Sequence, residues 1–176
     1  MFAGLPAELA AAILAAMKTA ISIPDAPFVM SAHRCAECGA IYEAADGSCA
    51  ARFETLLALD HARREPWGSR HGQAFAAFTL QHPTAHAASL DRAWAALHRL
   101  YVGGDAPARV FSRLVAGSEI GPPAWSTPPR LPRPVRMPAV TIADLADFEA
   151  ATYAERLDAW CRAALVAWGA RVPAAA

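Results

Sequence analysis

The chain has 176 residues, enough for one domain with a substantial core, and 55% of them are hydrophobic, which excludes global disorder. Sixteen basic and sixteen acidic residues leave no net charge, so a nucleic-acid partner held through its phosphates is not expected. Alanine dominates the composition and favours helices, and we therefore predict an all-α protein built as a compact helical bundle.

Residues 1–29 are predicted to form an N-terminal arm, with a helix over residues 6–20 that begins at Pro6; the alternative is a start-site error, with Met17 or Met30 as the true start. The apolar run at residues 7–17 lacks the basic flank of a signal peptide, and no run in the sequence is long enough to span a bilayer. We therefore expect a cytoplasmic protein with no membrane segment, whose single main domain covers residues 30–172.

A cysteine-rich loop follows the arm. The stretch HRCAECGA at residues 33–40 contains Cys35 and Cys38 as a CxxC pair, and Cys49 follows at a spacing that a small loop can close. In a reducing compartment such a pair is more typical of a metal or redox site than of a structural disulfide. Zinc prefers four thiolate or imidazole ligands, and the cysteines supply three of them. A redox pair, or cysteines that act only as small hydrophobic side chains, are the alternatives.

Two helices after the loop are predicted from their hydrophobic spacing. The first covers residues 49–64 and the second covers residues 69–82, each ending before a proline. One face of the first helix consists of Cys49, Phe53, Leu56, Leu57 and Asp60. One face of the second consists of His71, Phe75, Phe78 and His82. The short turn between the two helices forces them to run antiparallel.

The antiparallel turn selects a fourth ligand for the metal. It brings His82, at the end of the second helix, beside Cys49 at the start of the first. His61 lies twelve residues after Cys49, about 18 Å along a helix that rises ~1.5 Å per residue, and cannot reach the site. The alternatives His33 and His86 require the loop to fold back. The predicted zinc ligands are Cys35, Cys38, Cys49 and His82.

The same register brings Asp60 and His71 together at the opposite end of the helical hairpin. A carboxylate beside an imidazole can orient a general base or supply two ligands to a second metal. It can equally be a buried pair that fixes the helix register, and this structural interpretation is favoured. Asp60 and His71 are the candidate catalytic residues if the protein is an enzyme.

Three further segments complete the predicted bundle. A helix over residues 90–102 has Ser89 as its N-cap, and a shorter helix follows Asp105. Residues 121–138 contain seven of the fourteen prolines and form an extended strap. The last helix begins at a capping box from Thr152 to Glu155 and ends at Gly169. Its apolar face consists of Leu157, Trp160, Cys161, Ala164, Leu165 and Trp168, which makes Cys161 a core residue rather than a ligand.

With these motifs in place, the chain resembles a family of small bacterial proteins known only as a domain of unknown function. The resemblance spans about residues 33–170 and is carried by CAECGA at 35–40, Cys49, His71 ahead of FTLQHP at 78–83, TIADL at 141–145 and WCRAALVAW at 160–168. It implies cysteine and histidine positions suited to metal binding, here Cys35, Cys38, Cys49, His71 and His82. It implies no particular activity.

The sequence contains no phosphate-binding glycine loop, no GxSxG and no HExxH motif. Four protein ligands favour a structural zinc in a module that binds an unknown protein or small-molecule partner. The alternative is a metalloenzyme, a hydrolase or thiol-transferase-like protein, with an open zinc position and the Asp60 and His71 pair for acid–base chemistry. The strap arginines Arg130, Arg133 and Arg136 either contact an acidic partner or belong to a strap that simply wraps the domain.

Overall fold

A computed structural model describes residues 32–43, 47–62, 64–112, 127–145 and 147–174. Strands β1 (His33–Arg34) and β2 (Ile41–Tyr42) form a small antiparallel hairpin. The helices are α1 (Cys49–His61), α2 (His71–Gln81), α3 (Leu90–Tyr101) and α4 (Ala150–Ala167), and residues 107–112 are also helical. The predicted mostly helical fold is confirmed. The predicted arm at residues 1–29 and the first part of the strap at residues 121–126 lie outside the described residues.

Helix α2 lies at the centre and packs against α3 and α4. Its burial extends well beyond the predicted face, because small alanines at positions 74, 76 and 77 let the neighbouring helices approach closely. His71 and Phe75, which belong to the predicted face, lie instead at an exposed edge, and Phe75 is 38% exposed. Among the described residues, none of the helices combines the length and the apolar character that a membrane crossing requires.

The predicted apolar face of α4 is buried throughout and is tied to α2 by two tryptophans. The indole N–H of Trp160 donates to Gln81 Oε1 at 2.8 Å, and that of Trp168 donates to the carbonyl of Leu80 at 2.8 Å. The helix ends before Gly169 as predicted, where a φ of 87° suits a residue without a side chain. These contacts account for the burial of both indole rings without loss of their hydrogen bonds.

The predicted start of α4 is wrong. The capping box at Thr152 does not form, because α4 already begins at Ala150 and Thr152 lies inside its first turn. The buried residue Phe148, with a φ of 56°, turns the chain into the helix earlier than the box would. Helix α3 begins at Leu90 after Ser89, as predicted, but Ser89 makes no side-chain capping bond, because it belongs to a 3₁₀ turn, Ala87–Ser89, that continues directly into α3.

The proline-rich strap crosses α3 and α4. Its described part, residues 127–138, contains no helix or strand. The carbonyl of Pro128 accepts the indole N–H of Trp94 at 2.7 Å. Arg130 forms an ion pair with Asp91 at 2.6 Å and lies over the ring of Trp168 at 5.2 Å. The strap therefore wraps the domain, and Arg130 contacts residues of the same chain.

Candidate metal centre

The side chains of Cys35, Cys38, Cys49 and His82 converge in one cluster, with their sulfur and imidazole nitrogen atoms all within 4.8 Å of one another. Cys38 Sγ lies 3.4 Å from Cys49 Sγ, and Cys35 Sγ lies 3.8 Å from His82 Nε2. A tetrahedral zinc with Zn–S bonds of about 2.3 Å places its ligands roughly 3.8 Å apart, so these spacings suit the ion. None of the four cysteines forms a disulfide. The donor set and its spacing fit a metal ion.

Cys35 and Cys38 lie in the turn that joins β1 to β2. The backbone N–H of Gly39 donates to the carbonyl of Cys35 at 2.9 Å, which closes the turn around the two sulfurs. Gly39 has a φ of 80°, a conformation that L side chains rarely adopt, so the turn requires glycine after the second cysteine. The carboxylate of Glu37 accepts the backbone N–H of Thr84 at 2.8 Å and ties this turn to the segment after α2.

Cys49 is the first residue of α1, which Ser48 caps with its side chain. The partial positive charge of a helix N-terminus favours a thiolate at this position. The hydroxyl of Tyr42 donates to Cys49 Sγ at 3.2 Å. The hydrogen bond with Cys38 lowers the pKa of Cys49 well below its ordinary value, and His82 and Tyr42 act in the same direction. Zinc binds thiolates, so Cys49 already favours the form that a metal ligand must take.

His82 follows the last residue of α2 and is 5% exposed. Its Nδ1 lies 3.0 Å from the carbonyl oxygen of Phe78, which can only accept, so Nδ1 carries the proton. Nε2 is then left with its lone pair facing Cys35. Burial alone would lower the pKa of His82, but hydrogen bonds with Cys49 and Phe78 raise it above its ordinary value. A backbone carbonyl on the other ring nitrogen is the usual support of a metal-bound histidine.

The other predicted candidates lie outside the cluster. His33 is exposed in β1 and stacks on Tyr42, with ring centroids 5.5 Å apart. His86 packs edge-on against Phe78 at 5.6 Å. Cys161 lies in the core, where burial raises the pKa of its thiol to about 12, as suits a residue that is not a ligand. Within the described ranges, no second group of three or more such side chains comes equally close together.

Sequence reasoning did not identify Tyr42 and Glu37, which support the cluster from outside it. The pairing of His33 with Tyr42 across the hairpin places the tyrosine hydroxyl near the sulfurs. A glycine turn after Cys38 followed by the β-prone pair Ile41 and Tyr42 is the signal that predicts such a hairpin.

Asp60 and His71 form the predicted pair at the other end of the α1–α2 hairpin, with His71 Nδ1 2.9 Å from Asp60 Oδ2. The side chain of Asp60 is 4% exposed and that of His71 is 49% exposed. The hydrogen bond with Asp60 raises the pKa of His71 above its ordinary value. Asp60 follows Cys49 by eleven residues of α1, roughly 16 Å at 1.5 Å per residue, so this pair is separate from the metal centre.

Replacing His71 by glutamine should lower the free energy of unfolding more at about pH 5.5 than at about pH 8.5. The raised pKa of the folded state means that the extra stability is complete below about pH 6.5 and is lost as the pH rises through the folded pKa. Since His71 is half-exposed, the effect should stay below about 1 kcal/mol. Urea unfolding at the two pH values measures it, with His61→Gln as a control for loss of an exposed imidazole. A pH-independent difference at His71 would contradict the assignment.

These features define a helical domain in which a cluster of three cysteines and one histidine joins a β-hairpin to two helices. The matching family model covers residues 33–169, from β1 to the residue that follows the C-cap of α4. The chain therefore belongs to the family of unknown function DUF5946, which confirms the resemblance seen in the sequence. No curated protein and no solved structure matches the chain.

Proposed function

We propose that this protein is a cytoplasmic zinc-binding helical domain, in which the zinc is structural and supports a surface that binds a partner or ligand. The observation that carries the proposal is the fourth donor: His82 Nε2 lies with the three sulfurs, within 4.8 Å of each. Structural zinc sites have four protein ligands, whereas catalytic sites keep one position for water. Thiolate-rich sets also select zinc over magnesium or calcium.

The position of the cluster explains what a structural ion would stabilise. Its donors come from the hairpin turn, the first residue of α1 and the C-cap of α2, which are distant in the chain. A short two-residue pairing such as β1–β2 is marginal by itself. A zinc ion that cross-links the hairpin to two helices would therefore supply most of the local folding energy of residues 33–49.

A metalloenzyme is the second candidate, and the hydrogen bond between Asp60 and His71 is the observation in its favour. The pair has the geometry of a carboxylate that orients an imidazole base. However, it lies roughly 16 Å from Cys49 along α1, too far to act on a ligand of the metal. Any acid–base chemistry of this pair would be independent of the zinc.

Cobalt substitution distinguishes the two roles of the metal. The Cys3His set should give the intense absorption of a tetrahedral, thiolate-rich cobalt site, and added azide or small thiols should leave the spectrum unchanged because no coordination position is open. A spectrum that changes with azide would show an exchangeable ligand and would favour the metalloenzyme. The His33→Gln variant serves as a control. It replaces an exposed histidine outside the cluster and should give the same cobalt spectrum as the wild type.

A further inference from the structure

A cavity of about 370 Å³ lies between α2 and α3, away from the cysteine cluster. Its walls are mainly apolar: Phe75 of α2 and Phe111 of the helical segment at 107–112 provide two aromatic rings, and alanines such as Ala93 provide the floor. Gly72 lets Phe111 lie against α2, because a Cβ at this position would come within 2.5 Å of the ring. The volume is near the lower end of the roughly 300–1,000 Å³ typical of small-molecule sites.

His71 is one of two basic side chains at this cavity. Its Nδ1 is held at 2.9 Å by the buried carboxylate of Asp60, so the ring is fixed and Nε2 is the nitrogen left for a ligand. Asp60 Oδ1 makes no hydrogen bond with any side chain or backbone group in the described part of the chain. Thus Nδ1 of His71 contacts Asp60, and Nε2 is available to a ligand in the cavity.

Arg92 is the second basic side chain, and it is exposed on α3. Other arginines that lie against this part of the fold are already paired: Arg99 with Asp105, and Arg130 with Asp91, the acidic neighbour of Arg92. Arg92 has no ion-pair partner among the described residues. An unpaired guanidinium beside an apolar cavity is complementary to a carboxylate, which it can bind through two parallel hydrogen bonds.

We propose that the cavity between α2 and α3 binds a small molecule that carries a carboxylate on an apolar body. The body lies between Phe75 and Phe111, and the carboxylate contacts Arg92 and His71 Nε2. The limited volume restricts the body to about one aromatic ring or a short aliphatic chain. This ligand class specifies the binding role proposed above and rests on that role. Zinc content is measured separately, so that a failure of either proposal can be distinguished.

Isothermal titration of the full, zinc-loaded chain with phenylpropanoate tests the proposal. Saturable binding at one site is expected, and phenylpropanamide, the neutral match of the same size, should bind about tenfold more weakly because its head group has no charge. Arg92→Gln should weaken phenylpropanoate binding by about tenfold or more, whereas Arg171→Gln, which removes an exposed arginine outside the cavity, should leave it unchanged.

Ala93→Leu provides a second variant, since its side chain would fill the cavity and should abolish binding. Zinc content and the thermal midpoint of each variant establish that it is folded. The proposal is overturned if folded wild-type protein shows no saturable binding, if the acid and the amide bind equally, or if Arg92→Gln and Arg171→Gln behave alike. Loss of zinc with unchanged phenylpropanoate binding would instead count against the structural role of the metal.

Discussion

Replacing Cys49 by serine should lower the zinc affinity by a factor of at least about a hundred and leave the purified protein largely metal-free. Structural zinc sites are worth about 10–16 kcal/mol, so one of four ligands accounts for roughly 3 kcal/mol, or more than about a hundredfold. Cys49 should be especially costly to lose, because its thiolate is supported by the start of α1 and by the Tyr42 hydroxyl. Metal analysis after competition with a chelator of known affinity measures the change.

Cys161→Ser is the matched control for this experiment. Cys161 is a buried cysteine outside the cluster, and a serine hydroxyl can still donate to the carbonyl of Gln73, which Cys161 Sγ contacts at 3.7 Å. The control should retain the zinc of the wild type. Full zinc occupancy in Cys49→Ser under the same competition would remove Cys49 from the ligand set.

Replacing Trp160 by alanine should destabilise the whole domain by about 3–5 kcal/mol. Trp160 is 0% exposed, and its removal leaves a large cavity beside α2 and leaves Gln81 Oε1 without the indole donor. A single domain of this kind is stable by about 5–15 kcal/mol, so the loss is a large fraction of the total. Urea unfolding of the zinc-loaded protein measures it. A change below about 1 kcal/mol would contradict the burial of the α4 apolar face in the core.

Two comparisons give this prediction a control. Trp160→Phe keeps most of the apolar contact and loses only the indole N–H, so its cost should be clearly smaller. Chelation of zinc from the wild type should fray residues 33–49 and leave the helical circular dichroism nearly intact, since most of the buried core, Trp160 included, comes from residues other than the metal ligands. Global unfolding on chelation would mean that the metal, and not α4, holds the helices together.

The proximity of the four cluster residues could be predicted because each step depended on local rules. The CxxC spacing and Cys49 are visible in the sequence. A short connection after α1 requires α2 to run antiparallel to it. That one constraint placed His82 beside Cys49 and Asp60 beside His71. Helix termini and spacing therefore sufficed for both pairs.

Other features could not be read from local pattern because tertiary contacts decide them. The periodicity of α2 predicted one apolar face, but the burial of α2 depends on its packing against α3 and α4. These helices contact it at alanine positions, and alanines do not indicate which face of a helix is buried. The start of α4 depends on the turn at Phe148 rather than on the capping spacing at Thr152. The cavity beside Arg92 and Phe111 joins residues from separate helical segments, and no short motif marks it.

X-ray absorption spectroscopy at the zinc edge is the most direct test of the proposed metal centre. The purified protein should contain about one zinc per chain, with three sulfur atoms at about 2.3 Å and one nitrogen at about 2.0–2.1 Å in the first coordination shell. In His82→Ala the nitrogen should disappear from the shell, or the zinc should be lost altogether. A wild-type shell without the scattering of an imidazole ring, or purified protein that binds no zinc, would contradict the structural Cys3His site.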